Sequence, residues 1–344
     1  MLRLSILTAL IMISTGLPAH ADPLPSYTLA KTLPLGAPDR WDYLVFDSAT
    51  RRVYLAHGST LTVVDAASGE LVGQVEGIAD GTHGTAISAA TDQGYTDDGT
   101  AGVAVAFDLK TLKIKQTIPA NDDADAIALD PATGHVLVVN GDTGTLSVID
   151  PKTNTAIATI NTEEKMEYAA AGEPGVIYVS GNGKSDIVRI DLRDNTVTAR
   201  WPTPDCAKPH GLAYDPQGRR LFMGCVNAKL MVVDTVSGRA VAELAIGQGS
   251  DAIAFDTKRR RVFSSNGKDG TITVYQQMSP DSYQALTPVT TMTGARTMTV
   301  DPESGRLFTA AAETDPPATP PATPNGRPRV RPGTLRLMMF DPVR

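Results

Sequence analysis

Along most of this chain, short apolar runs of period two alternate with polar turns, and the runs recur in sets of four. The stretch "DAIALDPATGHVLVVNGDTGTLSVIDPKTNTAIATI" shows the unit: an alternating strand, a turn opening at Asp, a second strand, a loop, a third strand ending in Asp, another polar turn and a fourth strand. Period-two alternation predicts strands, and the Asp-Pro, Asn-Gly and Asp-Gly interruptions predict the tight turns of antiparallel hairpins. The same grammar runs through "DYLVFDSATRRVYLAHGSTLTVVDAASGELVGQV", "HGLAYDPQGRRLFMGCVNAKLMVVDTVSGRAVAELA" and "DAIAFDTKRRRVFSSNGKDGTITVY". Weaker copies begin at "HGTAISAATDQGYTDDGT" and "EYAAAGEPGVIYVSGNGKSD", and a seventh, "RTMTVDPESGRLFTAAAE", resumes as "GTLRLMMFDPVR" after an interruption.

The residues opening the first strand of each unit are Asp42, His83, Asp125, Glu167, His210, Asp251 and Arg296, spaced by 41, 42, 42, 43, 41 and 45 residues. That period belongs to a four-stranded propeller blade. Each small sheet is apolar on both faces, so a lone sheet would leave one face in water, whereas radial stacking buries both. The expected fold is therefore all-β, a seven-bladed β-propeller of four-stranded antiparallel blades occupying residues 22–344 as one domain. The last blade lacks a fourth strand of its own, and "SYTLAKTLPL" near the N-terminus is surplus. Pairing it outside Leu335 to Phe340 would close the ring by joining N- and C-terminal strands.

The pattern "DPATGHVLVVNGDTGTLSVIDPKTNTAIATI" resembles the YncE/YVTN group of secreted seven-bladed propellers, and the resemblance covers essentially the whole chain after its leader. It implies the fold but no single activity, since such propellers include surface-layer proteins, binding modules and enzymes. The second and fourth units depart from it by lacking the Asp-Pro turn. His57 and Cys225 replace the Asn that commonly ends the second strand.

Residues 1–21 read as a signal peptide: Arg3 precedes the apolar run "LSILTALIMISTG", and "AHA" ends at Ala21. The expected location is the periplasm or outside the cell. The formal charge of the whole chain is −7, and loss of Arg3 makes it one unit more acidic, which argues against general nucleic-acid binding. No later stretch is long and apolar enough to span a bilayer, and a monomer is expected. Cys206 and Cys225, the only cysteines, flank one predicted hairpin. A curl of the loop before its first strand would let them form a disulfide, with Cys225 placed opposite His210.

In a propeller the start of the first strand and the end of the second share one face, near the mouth of the axial channel. The candidate ligand-binding residues there are Asp42, His57, Tyr95, Asp98, Asp125, Asp251 and Arg296. Arg327, Arg329 and Arg331 join them from the Pro-rich insertion 315–332 of the last blade. Candidate metal ligands are His83, His210, Asp125, Glu167 and Asp251, and candidate catalytic groups are His83, His210 and Glu167. Mixed imidazole and carboxylate donors suit Zn, Mn or Fe, and an oxygen-rich subset suits Ca or Mg. Three functional classes fit this sequence. One is a recognition module that takes a small molecule or envelope protein at the polar channel face. A second is a metal-assisted lactonase, hydrolase or lyase acting at the mouth. The third is a structural envelope or cell-surface protein.

Overall fold

A computed structural model of the protein describes residues 27–79, 81–315 and 329–343. The leader and most of the Pro-rich insertion, Arg327 included, lie outside these residues. Every predicted strand set forms a sheet of antiparallel neighbours, in chain order in all blades but the last. In the fifth blade these are Pro209–Asp215, Arg220–Cys225, Lys229–Asp234 and Arg239–Ala245. Its second strand is buried throughout, whereas the outermost strand is exposed at alternate positions. This gradient is what radial stacking demands, because the middle strands have a neighbouring blade on each face and the outer strand faces water. Phe222 of this blade stacks on Phe255 of the next at 5.1 Å. In the sixth blade the outer place is shared by Ser282–Ala285 and Val289–Thr290, both paired to Thr271–Ser279.

The ring closes as expected. Tyr27–Pro34 runs antiparallel to Arg336–Pro342, with Tyr27 opposite Pro342 and Pro34 opposite Arg336, and becomes the outer strand of the last blade. The innermost strand of each blade also touches that of the next all the way round, blade seven meeting blade one through Met298–Val300 and Leu44–Asp47. Among the described residues no helix is long and apolar enough to cross a membrane.

At the end of the ring away from the mouth, aspartates organise the turns. Asp130 accepts the N–H groups of Ala132 and Thr133 at 3.2 and 2.9 Å, and Asp65 and Asp234 do the same for the residues two and three places on. The carboxylate thus satisfies turn donors that the sheet leaves over. Where blade two lacks the Asp-Pro turn, a short 3₁₀ turn, Ala89–Thr91, replaces it.

Cys206 and Cys225 are bonded, with Cα atoms 5.2 Å apart. The register differs from expectation by one place, since Pro209 rather than His210 stands opposite Cys225. The cause is a β-bulge between Pro209 and Leu212, which releases His210 and Gly211 from the ladder.

Candidate metal centre at the channel mouth

Such bulges recur and explain how the rim is built. The ladders skip between Ala124 and Ala126, Met166 and Ala169, Pro209 and Leu212, and Ser250 and Ile253. The residues left unpaired include Asp125, Glu167, His210 and Asp251. A bulge breaks the alternation that would keep a side chain in the sheet stack, and so it can aim one along the axis. Glycine completes the approach at His210. A Cβ on Gly211 would lie 2.6 Å from the Asp251 carbonyl oxygen and 2.7 Å from the Ile253 nitrogen, so only glycine lets blades five and six come this close.

Glu167, His210 and Asp251, from blades four, five and six, each offer a ligand atom within 4.8 Å of the other two. His210 Nδ1 is 3.0 Å from Glu167 Oε1 and 3.4 Å from Asp251 Oδ1. The other oxygen of each carboxylate is held from behind. Asn182 Nδ2 donates to Glu167 Oε2 at 2.9 Å, and Arg296 donates to Asp251 Oδ2 at 2.9 Å. Asn182 and Arg296 therefore fix which oxygen faces the imidazole, as groups behind metal ligands do. Despite both short distances, His210 Nδ1 is buried without a properly directed hydrogen bond. A nitrogen that lies between two acceptors and points at neither shares a focus with them, and a cation of Zn, Mn or Fe type fits this N,O,O set. Glu167, His210 and Asp251 would supply three donors to such an ion.

The electrostatics agree with a tightly coupled site. Burial alone would lower the pKa of His210, but the two carboxylates, Asp251 and Glu167, standing close to its Nδ1 prevail and raise it to about 10. Burial pushes Asp251 up, yet His210 and Arg296 bring it below the ordinary carboxylate value. Tyr43 stands beside the centre, donating to the Asp251 carbonyl oxygen at 3.2 Å and packing on Tyr168 with ring centroids 4.7 Å apart.

The remaining rim residues fall into separate arrangements. His83 is not in the donor trio. Its Nδ1 is 2.8 Å from Asp97 Oδ2 and 3.7 Å from Asp125 Oδ1, so the expected convergence of His83 and His210 gives way to two histidine–carboxylate clusters. The reason is local, since each imidazole is captured by carboxylates of its own or an adjacent blade. Asp125 goes with His83. Burial, reinforced by Glu167, Asp42 and Asp123 against the opposing pull of His83, raises its pKa to about 8. Asp42 is locked to Arg296, whose guanidinium reaches Asp42 Oδ2 at 2.8 Å and the Trp41 carbonyl at 2.9 Å.

Several expected ligand residues are consumed by the scaffold. His57 is buried, with Nε2 2.7 Å from the Pro38 carbonyl and Nδ1 2.9 Å from the Thr62 hydroxyl. A carbonyl only accepts, so Nε2 donates and Nδ1 accepts, and neither nitrogen remains for a ligand. The Tyr95 hydroxyl donates to Asn154 Oδ1 at 2.6 Å, in the turn that follows Asp150 at the end away from the mouth. The Asp98 carboxylate accepts the N–H groups of Ala79 and Ala101 and braces a loop. At the neck of the insertion Arg331 pairs with Asp315 and Glu313, so its charge is neutralised within the same hairpin. Arg329 is exposed there, and its carbonyl accepts the Asp315 N–H.

Asn182 and Tyr43 carry no mark of a site residue in the sequence, and Asp97 is marked only as one of the polar groups that "YTDDG" brings to the mouth with Tyr95 and Asp98. Asp97 lies in "YTDDG" and Asn182 in "GNGKSD", each just past or at the end of a second strand, and Tyr43 follows the rim residue Asp42. Position at the mouth was their only signal.

No protein-family model matches the chain, and no curated protein matches it. Among solved structures it is similar to a chain of Kuenenia stuttgartiensis hydrazine synthase, with a TM-score of 0.70 and 13% sequence identity, covering 87% of this chain and 96% of that one. At this identity the similarity concerns the fold, and it places the chain with the seven-bladed β-propellers.

Proposed function

We propose that this protein is a divalent-metal-dependent hydrolase of small carbonyl substrates, such as lactones or esters, with Glu167, His210 and Asp251 as its metal ligands. The observation that carries the reading is the convergence of Glu167 Oε1, His210 Nδ1 and Asp251 Oδ1, each carboxylate steadied through its other oxygen. A bound cation would polarise a carbonyl or activate water. Around it the chain does the rest: the bulges aim the donors, Arg296 and Asn182 hold their orientation, and Tyr43, backed by Tyr168, borders the site at Asp251. Recognition of an anionic partner by the insertion has less support, because Arg331 is already paired. The repeat grammar supports a relation to the YncE/YVTN propellers, and the leader supports export to the periplasm or beyond.

Metal analysis of the freshly isolated native protein tests the assignment. About one equivalent of Zn, Mn or Fe is expected, lost in folded His210→Ala and Glu167→Gln variants and kept in His57→Ala. Native protein that holds no metal and gives no binding heat with Zn²⁺, Mn²⁺ or Fe²⁺ would overturn it.

A further inference from the structure

The mouth holds a second constellation that metal ligation does not use. Asp97 is completely buried, and its carboxylate gathers three donors from one short segment. The His83 and Gly84 backbone N–H groups donate to it at 3.0 and 2.6 Å, and His83 Nδ1 lies 2.8 Å from Oδ2. A carboxylate in that position fixes the ring, with Nδ1–H donating inward and Nε2 turned outward. Behind the ring there is no slack, since a Cβ on Gly99 would come within 2.8 Å of His83 Cε1. Across Nε2, at 3.4 Å, stands the exposed guanidinium of Arg40, which donates to Nε2 while the ring is neutral and must give way when Nε2 takes a proton. When the imidazole is protonated, Nε2–H and Arg40 present two donors to the same space, and an acceptor oxygen placed between them satisfies both.

We infer that His83 is the general acid of the mouth and that Asp97 is its positioning residue. The inference rests on the hydrolytic reading above and adds the proton-transfer half of the reaction. In cleavage of an ester or lactone, water oxygen bonds to the carbonyl carbon and the bond from that carbon to the leaving oxygen breaks. The electron pair goes to the leaving oxygen, which takes the proton from His83 Nε2. The proton shed by the attacking water restores the imidazolium, so the net reaction consumes one water and yields an acid and an alcohol.

The surroundings keep the acid loaded. The charged groups facing His83 are Asp97 of its own blade, Asp125 of the next with Asp123 two places before it, Asp42 of the first and Arg40 from the segment before that. Burial would lower the imidazole pKa, but the carboxylates overcome it and hold it at about 9. Both clusters meet at one residue of the mouth, since the Tyr43 backbone N–H donates to the His83 carbonyl at 2.9 Å and its hydroxyl donates to the Asp251 carbonyl at 3.2 Å.

General acid assistance matters most for a poor leaving group, which separates this role from a structural one. The test compares γ-butyrolactone, which must expel an alkoxide, with 4-nitrophenyl acetate, whose phenolate leaves unaided, on the metal-loaded full chain. His83→Gln and Asp97→Asn are expected to lower kcat/KM for the lactone about 100-fold more than for the aryl ester, at unchanged metal content. In Asp97→Asn the alkaline limb of the lactone pH profile should also move to lower pH. Glu167→Gln, by contrast, should depress both substrates together. Equal losses on both substrates in the His83 variant, or none, would overturn the acid assignment and leave the metal reading standing. Metal-loaded native protein inert to both would overturn the two together.

Discussion

Replacing Cys206 and Cys225 together by alanine tests how the disulfide supports the site. The bond closes a span of 19 residues, and loop-closure entropy for that span corresponds to about 3 kcal/mol at 25 °C. For a chain of this length the unfolding entropy near the midpoint is roughly 0.7 kcal/mol per kelvin, so Tm should fall by only about 4 °C. The local effect should be larger, because the bond anchors the loop that leads into Pro209–Asp215, whose second residue is His210. Calorimetric scans at one fixed rate give the Tm shift, and titration with Zn²⁺ gives the affinity, which should drop more than the modest thermal shift implies. A fall beyond about 10 °C would show that the buried sulfurs act mainly by packing, against the entropy argument. An unchanged Tm with unchanged Zn²⁺ affinity would show that the hydrogen bonds of Ala207 to Asn227 and Val226 hold the loop unaided.

Arg296→Met should strip two carboxylates of their shared cation. Breaking a buried pair costs about 3–5 kcal/mol, and the partial exposure of Arg296 points to the lower end, readable as a reduced urea midpoint. A loss below about 1 kcal/mol would contradict the clamp. In the metal-free protein, stability should fall as pH rises from 6.5 to about 9. His83 binds its proton more tightly folded than unfolded, so its contribution of roughly 3 kcal/mol is full below 6.5 and lost through its folded pKa of about 9. Asp125, raised to about 8, acts in the same direction because its ionisation costs stability. Urea midpoints across this range should decline in the native chain and less steeply in Asp125→Asn, whereas a flat native profile would refute the assignment. Deleting Tyr27–Pro34 should leave Arg336–Pro342 as an open edge and give an associating, poorly folded chain by gel filtration and circular dichroism, restored by the peptide YTLAKTLP. Full stability of the truncated chain would refute closure by this pairing.

The ring was legible because its cause is periodic: alternation every second residue, Asp at the turns and a surplus first strand all repeat or balance along the chain. The phase that opens each blade also located Asp42, His83, Asp125, Glu167, His210, Asp251 and Arg296 at one mouth. Which carboxylate meets which imidazole was not legible. Bulges at Asp125, Glu167, His210 and Asp251 break the very period used to read the strands, and side-chain direction at a bulge depends on the neighbouring blade. His57, Tyr95 and Asp98 looked available because they sit at strand ends. Their partners, Pro38, Asn154 and Ala79, are 19, 59 and 19 residues away in sequence, so no local pattern announces them.

The aspartates that organise the turns change what an acidic composition means here. Hydrogen bonds from Ser68 and Thr111 depress the carboxyl pKa of Asp65 and Asp108, and burial opposes but does not reverse the same effect at Asp234. Much of the negative charge is thus already engaged with the protein's own amides, and a low isoelectric point says little about the ligands this surface favours. It marks instead where the architecture is vulnerable. Acidification below the ordinary carboxylate range would loosen hairpin after hairpin around the whole circumference, well away from the donor trio at the opposite end.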